Sequence, residues 1–317
     1  MSVIVCTIDL NAEQVERLQN AAPGYELLYG KDKERWLHRV QEAEIIIGWR
    51  RMFEETCLGR DTKLRWVQSW SAGVDGFPLD RMAELGISLT TTSGIHAYPI
   101  SETILAMMLS FTRNLHIYAR YQAERSWVRT DPVLEMHGKT AGIIGFGAIG
   151  EETAKLCKAF GMRVLGLRMS GQPSPYADQM HDPSGLDDVL AESDYVIVTL
   201  PLTRQTRRMF GREQFARMKK SAMFINIGRG GLVDEQALTE ALASGEIAGA
   251  GLDVFETEPL PADSPLWSMD NVIITPHTAG GSSKYHERAF EIALQNMGSY
   301  LQSGVPSVNL VDYVKQY

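Results

Sequence analysis

Short apolar runs alternate with amphipathic stretches along almost the whole chain. SVIVCTI (2–8), YELLYG (25–30), EIIIGW (44–49), LRWVQSWSAG (64–73) and ISLTTTS (87–93) read as strands. AEQVERLQNAA (12–22) and KERWLHRVQEA (33–43) read as helices. Continuous runs of branched residues bounded by turn formers are expected of parallel strands covered on both faces. PISETILAMMLSFTRNLHIYARYQ (99–122) predicts one long helix, with Pro99 suited to its first turn. A second series begins at Lys139, with strands predicted at AGIIG, RVLGL, YVIVTL, AMFINIG, AGLDVF and NVIITP and helices in most of the gaps. Six such strands are the complement of a Rossmann sheet. A last amphipathic stretch, 283–304, follows after that sheet is complete. The pattern predicts an α/β protein built on parallel sheets.

With 317 residues the chain is too long for a typical single core, so two domains are expected. A formal net charge of −8 argues against a nucleic-acid surface. No apolar run is long enough for a membrane span, and MSVIVCTIDL lacks the layout of a signal peptide. The 3 cysteines, Cys6, Cys57 and Cys157, are scattered, as expected of reduced core thiols in the cytoplasm. No His, Cys or carboxylate spacing suggests a metal site.

GFGAIG places Gly145, Gly147 and Gly150 in the G-x-G-x-x-G spacing, between an apolar strand and the helix-like EETAKLCKAF. In that context Gly145 permits the tight turn, Gly147 lets pyrophosphate approach the backbone, and Gly150 lets helix and strand pack closely. Backbone N–H groups at the helix start then face the phosphates. About 20 residues further on, where an acid usually holds the ribose, stands Arg168 within LGLRMSG. A guanidinium there suits a 2′-phosphate, and Ser170 adds a hydroxyl. The expected cofactor is therefore NADP(H), with NAD(H) possible; the alternative for Arg168 is a solvated surface arginine.

SAGVDGF (71–77), INIGRGGLVDEQAL (225–238), GLDVFETEPLP (251–261) and TPHTAG (275–280) accompany GFGAIG in this order. Together they resemble the D-isomer-specific 2-hydroxyacid dehydrogenase family over nearly the whole chain. The resemblance implies a substrate-anchoring Arg229, an acid/base His277 and its partner carboxylate Glu258. It also implies a carboxylate-binding loop at Gly73 and Val74, and Asp253 near the nicotinamide carboxamide, the alternative for Asp253 being a strand-end acid that caps a helix or turn. The full cofactor-facing set expected is Gly145, Gly147, Ala148, Ile149, Gly150, Arg168, Ser170, Leu200, Pro201, Thr206, Ile227, Asp253, Ala279 and Gly280, with Thr206 near the pyrophosphate. The chemistry accounts for these residue types. Hydride transfer to a ketone leaves charge on oxygen, and an imidazolium delivers a proton there near neutral pH.

Two stretches depart from the family pattern. VIVTLPLT carries Thr199 where a histidine is frequent, and IGWRRM places Trp49, Arg50 and Arg51 where the far end of the substrate is expected. Trp49 and Arg51 are candidate substrate contacts, with a packed domain residue as the alternative for Trp49. His96, near the linker, reads as a packing or hinge residue. The resemblance implies two Rossmann-like domains: a flavodoxin-like substrate domain (1–98 and 285–317) and an inserted, doubly wound coenzyme domain (99–284). Hinges are expected near 96–100 and 281–286, with the active site in the cleft. It further implies a homodimer formed through the coenzyme domain, with Trp127 in ARYQAERSWVR as a candidate anchor. The expected activity is NADP(H)-preferring reduction of small 2-ketoacids to D-2-hydroxyacids. Within the class the alternatives are a glyoxylate/hydroxypyruvate reductase or an NAD-linked catabolic dehydrogenase. Outside it stands a non-enzymatic NAD(P)H-sensing corepressor.

Overall fold

The computed structural model describes residues 1–317, and the chain divides into two compact units, Met1–Ile95 with Ser283–Tyr317, and His96–Ser282. In the first unit β1 (Ser2–Cys6), β2 (Tyr25–Tyr29), β3 (Ala43–Ile47), β4 (Trp66–Gln68) and β5 (Ser88–Thr90) form a parallel sheet in the order β2-β1-β3-β4-β5. This is the flavodoxin-like order. Helices α1 (Ala12–Ala21), α2 (Phe53–Cys57) and α3 (Leu79–Glu84) join its strands. Asn11 starts α1 with a capping box: its side chain accepts from the Gln14 N–H while the Gln14 side chain accepts from the Asn11 N–H. The helix expected over 33–43 does not form. Two 3-10 segments, Lys33–Arg35 and Leu37–Glu42, replace it. Trp36 is fully buried between them and donates its indole N–H to the Gly30 carbonyl at 3.0 Å. That anchor holds Trp36 at φ −135°, outside the helical range, and overrides a helical pattern that buries Trp36, Val40 and Ala43.

The second unit opens with α4 (Ala97–Thr112) and α5 (Leu115–Ala123). One helix was expected here; it breaks at Asn114, which takes φ 55° and donates its side-chain amide to Thr130 and to the Pro132 carbonyl. Asparagine tolerates the left-handed region better than most residues. Then follow β6 (Thr140–Ile144), α6 (Ala148–Ala159), β7 (Arg163–Leu167), β8 (Gln179–His181), α7 (Leu186–Glu192) and β9 (Tyr195–Val198). After these come α8 (Arg212–Arg217), β10 (Met223–Asn226), α9 (Glu235–Ser244), β11 (Gly249–Leu252) and β12 (Val272–Ile274). The sheet is parallel, in the order β12-β11-β10-β9-β6-β7-β8. It has seven strands where six were expected. β8 is the extra one, a three-residue edge strand, QMH, too short and too polar to carry a periodic signal. Two apolar clusters cover the faces of the sheet, one around Phe210, Phe215 and Phe224, the other around Ile104, Met108 and Ile143. Past α5, Trp127 is 95% exposed.

α10 (Tyr285–Ser303) rejoins the first unit through a buried polar network. Asn296, without exposure, donates to the Gln68 side-chain oxygen at 2.9 Å and accepts from the Val308 N–H at 2.7 Å. Thr90 donates to the same Gln68 oxygen and accepts from the Trp66 indole N–H at 2.8 Å. The returning helix is thereby registered on β4 and β5 by buried polar groups that satisfy one another. No helix of the chain is long and apolar enough to cross a membrane. Asn296→Ala is expected to cost about 2–4 kcal/mol, because the buried Gln68 side chain and the half-buried Val308 backbone each lose a bond. Urea unfolding measures it; a change below about 0.5 kcal/mol would contradict the role given to the network.

Candidate active site

The chemistry-bearing stretches of the second unit all leave the carboxyl ends of its parallel strands, where open α/β sheets bind ligands. After β6 the chain turns at Gly145, with φ 107°, and enters α6. A Cβ at 145 would lie 2.8 Å from the Leu200 nitrogen, and one at 150 would lie 2.5 Å from the Gly145 oxygen. Both glycines are therefore fixed by close backbone approach. Gly147 differs: a Cβ there would meet nothing within 4 Å. Its missing side chain leaves room over the start of α6, where no side chain caps the helix and the first N–H groups point outward. A strand–glycine turn–helix with open space at the middle glycine fits a dinucleotide pyrophosphate. Thr199, after β9, donates its hydroxyl to the Gly145 carbonyl at 2.6 Å and so braces the turn from the neighbouring strand.

Arg229, Glu258 and His277 follow the three adjacent strands β10, β11 and β12. Asn226, buried at the end of β10, accepts from the Gly228 N–H and donates to the Arg229 carbonyl, shaping the G-R-G bend. Gly230 then packs so closely on the next loop that a Cβ would sit 1.9 Å from the Phe255 carbonyl carbon. The Phe255 N–H is in turn held by Glu258 Oε1 at 3.0 Å. The other oxygen of Glu258 lies 2.6 Å from His277 Nδ1. With Nδ1–H directed at the carboxylate, Nε2 is the ring nitrogen left for a substrate, and the imidazole side chain is 49% exposed.

His277 itself is held at φ 52°, a conformation uncommon for a side-chain-bearing residue. Asp253 enforces it. This carboxylate is 2% exposed and accepts from the Thr275 hydroxyl at 2.6 Å and from the Thr278 and Ala279 N–H groups. The Asp253 carbonyl also accepts the His277 N–H at 2.9 Å. His96 closes the far side of the loop. A Cβ at Gly280 would come within 2.9 Å of its Nδ1, and the ring bonds the Gly280 carbonyl at 3.3 Å. Burial pushes the His96 imidazole below its ordinary range; the Gly280 bond opposes this and the nearby Arg229 charge adds to it.

A family model described as "D-isomer specific 2-hydroxyacid dehydrogenase, NAD binding domain" matches residues 105–279. Glyoxylate/hydroxypyruvate reductase B of Pectobacterium carotovorum is 40% identical over 261 residues, 79% of each chain. A crystal structure of a D-isomer-specific 2-hydroxyacid dehydrogenase family protein from Aeromonas salmonicida superposes with a TM-score of 0.85 at 34% identity, covering 98% of this chain and 99% of that one. The NADPH-dependent glyoxylate/hydroxypyruvate reductase of Sinorhizobium meliloti, solved with NADP and sulfate, gives 0.82 at 29% identity, with 100% of both chains covered.

The chain belongs to the D-isomer-specific 2-hydroxyacid dehydrogenase family. As a 2-hydroxyacid dehydrogenase it is a pyridine-nucleotide oxidoreductase acting on CH–OH groups.

Several expected site residues of this dehydrogenase have their polar groups engaged within the protein. The Thr206 hydroxyl donates to the Pro201 carbonyl at 2.7 Å and accepts from the Thr203 N–H at 2.8 Å, so it organises its own loop. The Arg168 guanidinium turns onto the Gln172 and Pro173 carbonyls. The Ser170 hydroxyl faces the Gln172 N–H at 3.4 Å. Ile227 and Ala279 are buried in the apolar cluster beneath the turn, with Ile149 packed against it. In the first unit Trp49 packs against Phe53 and Phe77, with ring centroids 5.5 Å apart in each case. Arg50 stacks on Trp36 and Arg51 is exposed. Gly73 and Val74 lie in the loop after β4, which is shaped by the Ser71 hydroxyl donating to the Gly73 carbonyl at 3.1 Å.

The capping reading of Asp253 did not name the donors it takes from the 275–279 loop, and the brace at Thr199 was not read from the sequence. Each depends on two strands being neighbours: β11 beside β12 for the first, β6 beside β9 for the second. Gly230→Ala is expected to push the 255–258 loop away and lower kcat/KM more than about 100-fold, since a displacement near 1 Å suffices for that. Dinucleotide affinity should stay within about threefold, because the glycine turn is remote from the clash. Steady-state kinetics with a dinucleotide titration separates the two, and an unchanged kcat/KM would contradict the packing argument.

Proposed function

We propose that the protein reduces small 2-ketoacids to D-2-hydroxyacids, preferring NADP(H), with His277 delivering the proton and Arg229 holding the substrate. The observation that carries this reading is the 2.6 Å bond between His277 Nδ1 and Glu258. It fixes the tautomer and the ring plane and leaves Nε2–H to meet a carbonyl oxygen. A dinucleotide held by its pyrophosphate at the glycine turn would supply the hydride to the keto carbon. His277 then gives its Nε2 proton to the oxygen and stays bonded to Glu258 through Nδ1–H. Arg229 would set a guanidinium against the developing negative charge, an effect of about 3–4 kcal/mol for a well-placed donor. In oxidation the same ring starts neutral at Nε2 and takes the hydroxyl proton.

The substrate class is supported by relatives that bear the names glyoxylate/hydroxypyruvate reductase and glyoxylate reductase. NADP(H) preference is supported by Arg168 and Ser170 in place of an acid, and by an NADPH-dependent structural relative. A homodimer is supported by the exposed Trp127, with Val128, Val133 and Leu134 also exposed on the same segment.

Loss of reduced-cofactor absorbance with glyoxylate, hydroxypyruvate and pyruvate, each with NADPH and NADH, tests the activity. Turnover with NADPH is expected to exceed that with NADH at subsaturating cofactor. His277→Ala should lower kcat at least 1,000-fold while dinucleotide affinity stays within threefold, because a proton donor is lost and the phosphate cradle is kept. Tight dinucleotide binding without turnover of any ketoacid would overturn the reading. Light scattering should return about twice the 35.3 kDa chain mass, and Trp127→Glu should shift it toward one; a wild-type monomer at micromolar concentration would refute the dimer.

A further inference from the structure

Arg168 lies directly after β7, its N–H bonded to the carbonyl of His181 on the edge strand β8. The chain then curls back on it. Gly171, at φ 59°, returns its N–H to the Arg168 carbonyl at 3.0 Å. The Gln172 carbonyl accepts from Nε at 3.1 Å and from Nη2 at 2.6 Å, and the Pro173 carbonyl accepts from Nη2 at 2.8 Å. A guanidinium offers five N–H donors in a plane. The loop occupies the Nε–Nη2 edge and so fixes which edge remains. That edge is Nη1, and it faces one anion, Glu151 Oε1, at 3.5 Å.

Glu151 stands in the first turn of α6, one residue after the third glycine. Its side chain is 42% exposed, against 25% for Arg168. An acid in a first helical turn is favourable to the helix itself. Here it also lies on the only donor edge that the loop leaves to Arg168. A 2′-phosphate approaching Nη1 must share that edge with a carboxylate and meets its charge at close range. A dinucleotide with a free 2′-hydroxyl brings no such charge.

Resting on the reading of Arg168 as the 2′-phosphate partner, we propose that Glu151 is the residue that sets how strongly the enzyme discriminates between the two dinucleotides. Its carboxylate competes for the Nη1 edge of Arg168 and holds down affinity for the phosphorylated cofactor, leaving the unphosphorylated one usable.

Calorimetric titration with NADP+ and NAD+ tests this on wild type, Glu151→Gln, Arg168→Ala and the double variant. Glu151→Gln is expected to tighten NADP+ about 3–10-fold, as for one like charge removed from a partly solvated site. NAD+ affinity should move less than twofold. In the Arg168→Ala background the same substitution should change NADP+ affinity less than twofold, because the shared edge is gone. If Glu151 serves only the helix, Glu151→Gln shifts the melting temperature and leaves the NADP+/NAD+ affinity ratio unchanged, which overturns the proposal alone. If Arg168→Ala weakens both dinucleotides equally, the 2′-phosphate reading falls and this proposal falls with it. Weaker NADP+ binding by Glu151→Gln would make the acid a support for Arg168 and reverse the inference.

Discussion

A single buried carboxylate governs the geometry of the active loop. Asp253 ends β11 with 2% exposure and takes donors from Thr275, Thr278 and Ala279. An ionised group so enclosed is tolerated only when its lone pairs are filled. Filling them curls the segment after β12 around it, and the residue at the crest, His277, is carried into a left-handed conformation. The imidazole then meets Glu258 from the adjacent loop. Loss of any of these donors would relax the curl before it touched the histidine itself.

Close backbone packing does for the other strands what Asp253 does for β12. Gly230 brings the G-R-G bend against Phe255, so the arginine loop and the glutamate loop are set by each other. Gly145 is pressed against the chain after β9, and the Thr199 hydroxyl locks the contact. The frequent histidine of the family is absent at that position. A short β-branched hydroxyl in its place serves the turn rather than reaching outward. Arg229, Glu258, His277 and the glycine turn all belong to one compact unit. Their mutual geometry is therefore inherited from one sheet and its register.

The loop after β7 follows a different logic. Arg168 is held by carbonyls of its own loop, an arrangement that gives a long, flexible side chain one orientation without help from a ligand. Pre-orientation lowers the ordering cost of binding. The opposing acid at Glu151 works the other way, and the balance between them is a matter of one edge of one guanidinium.

The alternation of parallel strands and helices, the glycine turn and the motifs that carry Arg229, Glu258 and His277 can be read along the chain. These are local patterns: apolar runs, glycine spacing and short motifs that occupy consecutive positions. The break at Asn114, the 3-10 path around Trp36 and the edge strand Gln179–His181 were not legible: the first follows from a partner sixteen residues on, the second from burial of one indole on the Gly30 carbonyl, the third from pairing too short to leave a pattern. The hydrogen bonds that engage Thr206 and the clasp on Arg168 likewise depended on where neighbouring chain lies, whereas the packing of Trp49 was one of the two readings its sequence offered. That Asp253 organises the histidine loop follows from the folded sheet alone. Strand order makes β11 and β12 neighbours, and a buried charge must take whatever donors that neighbour provides.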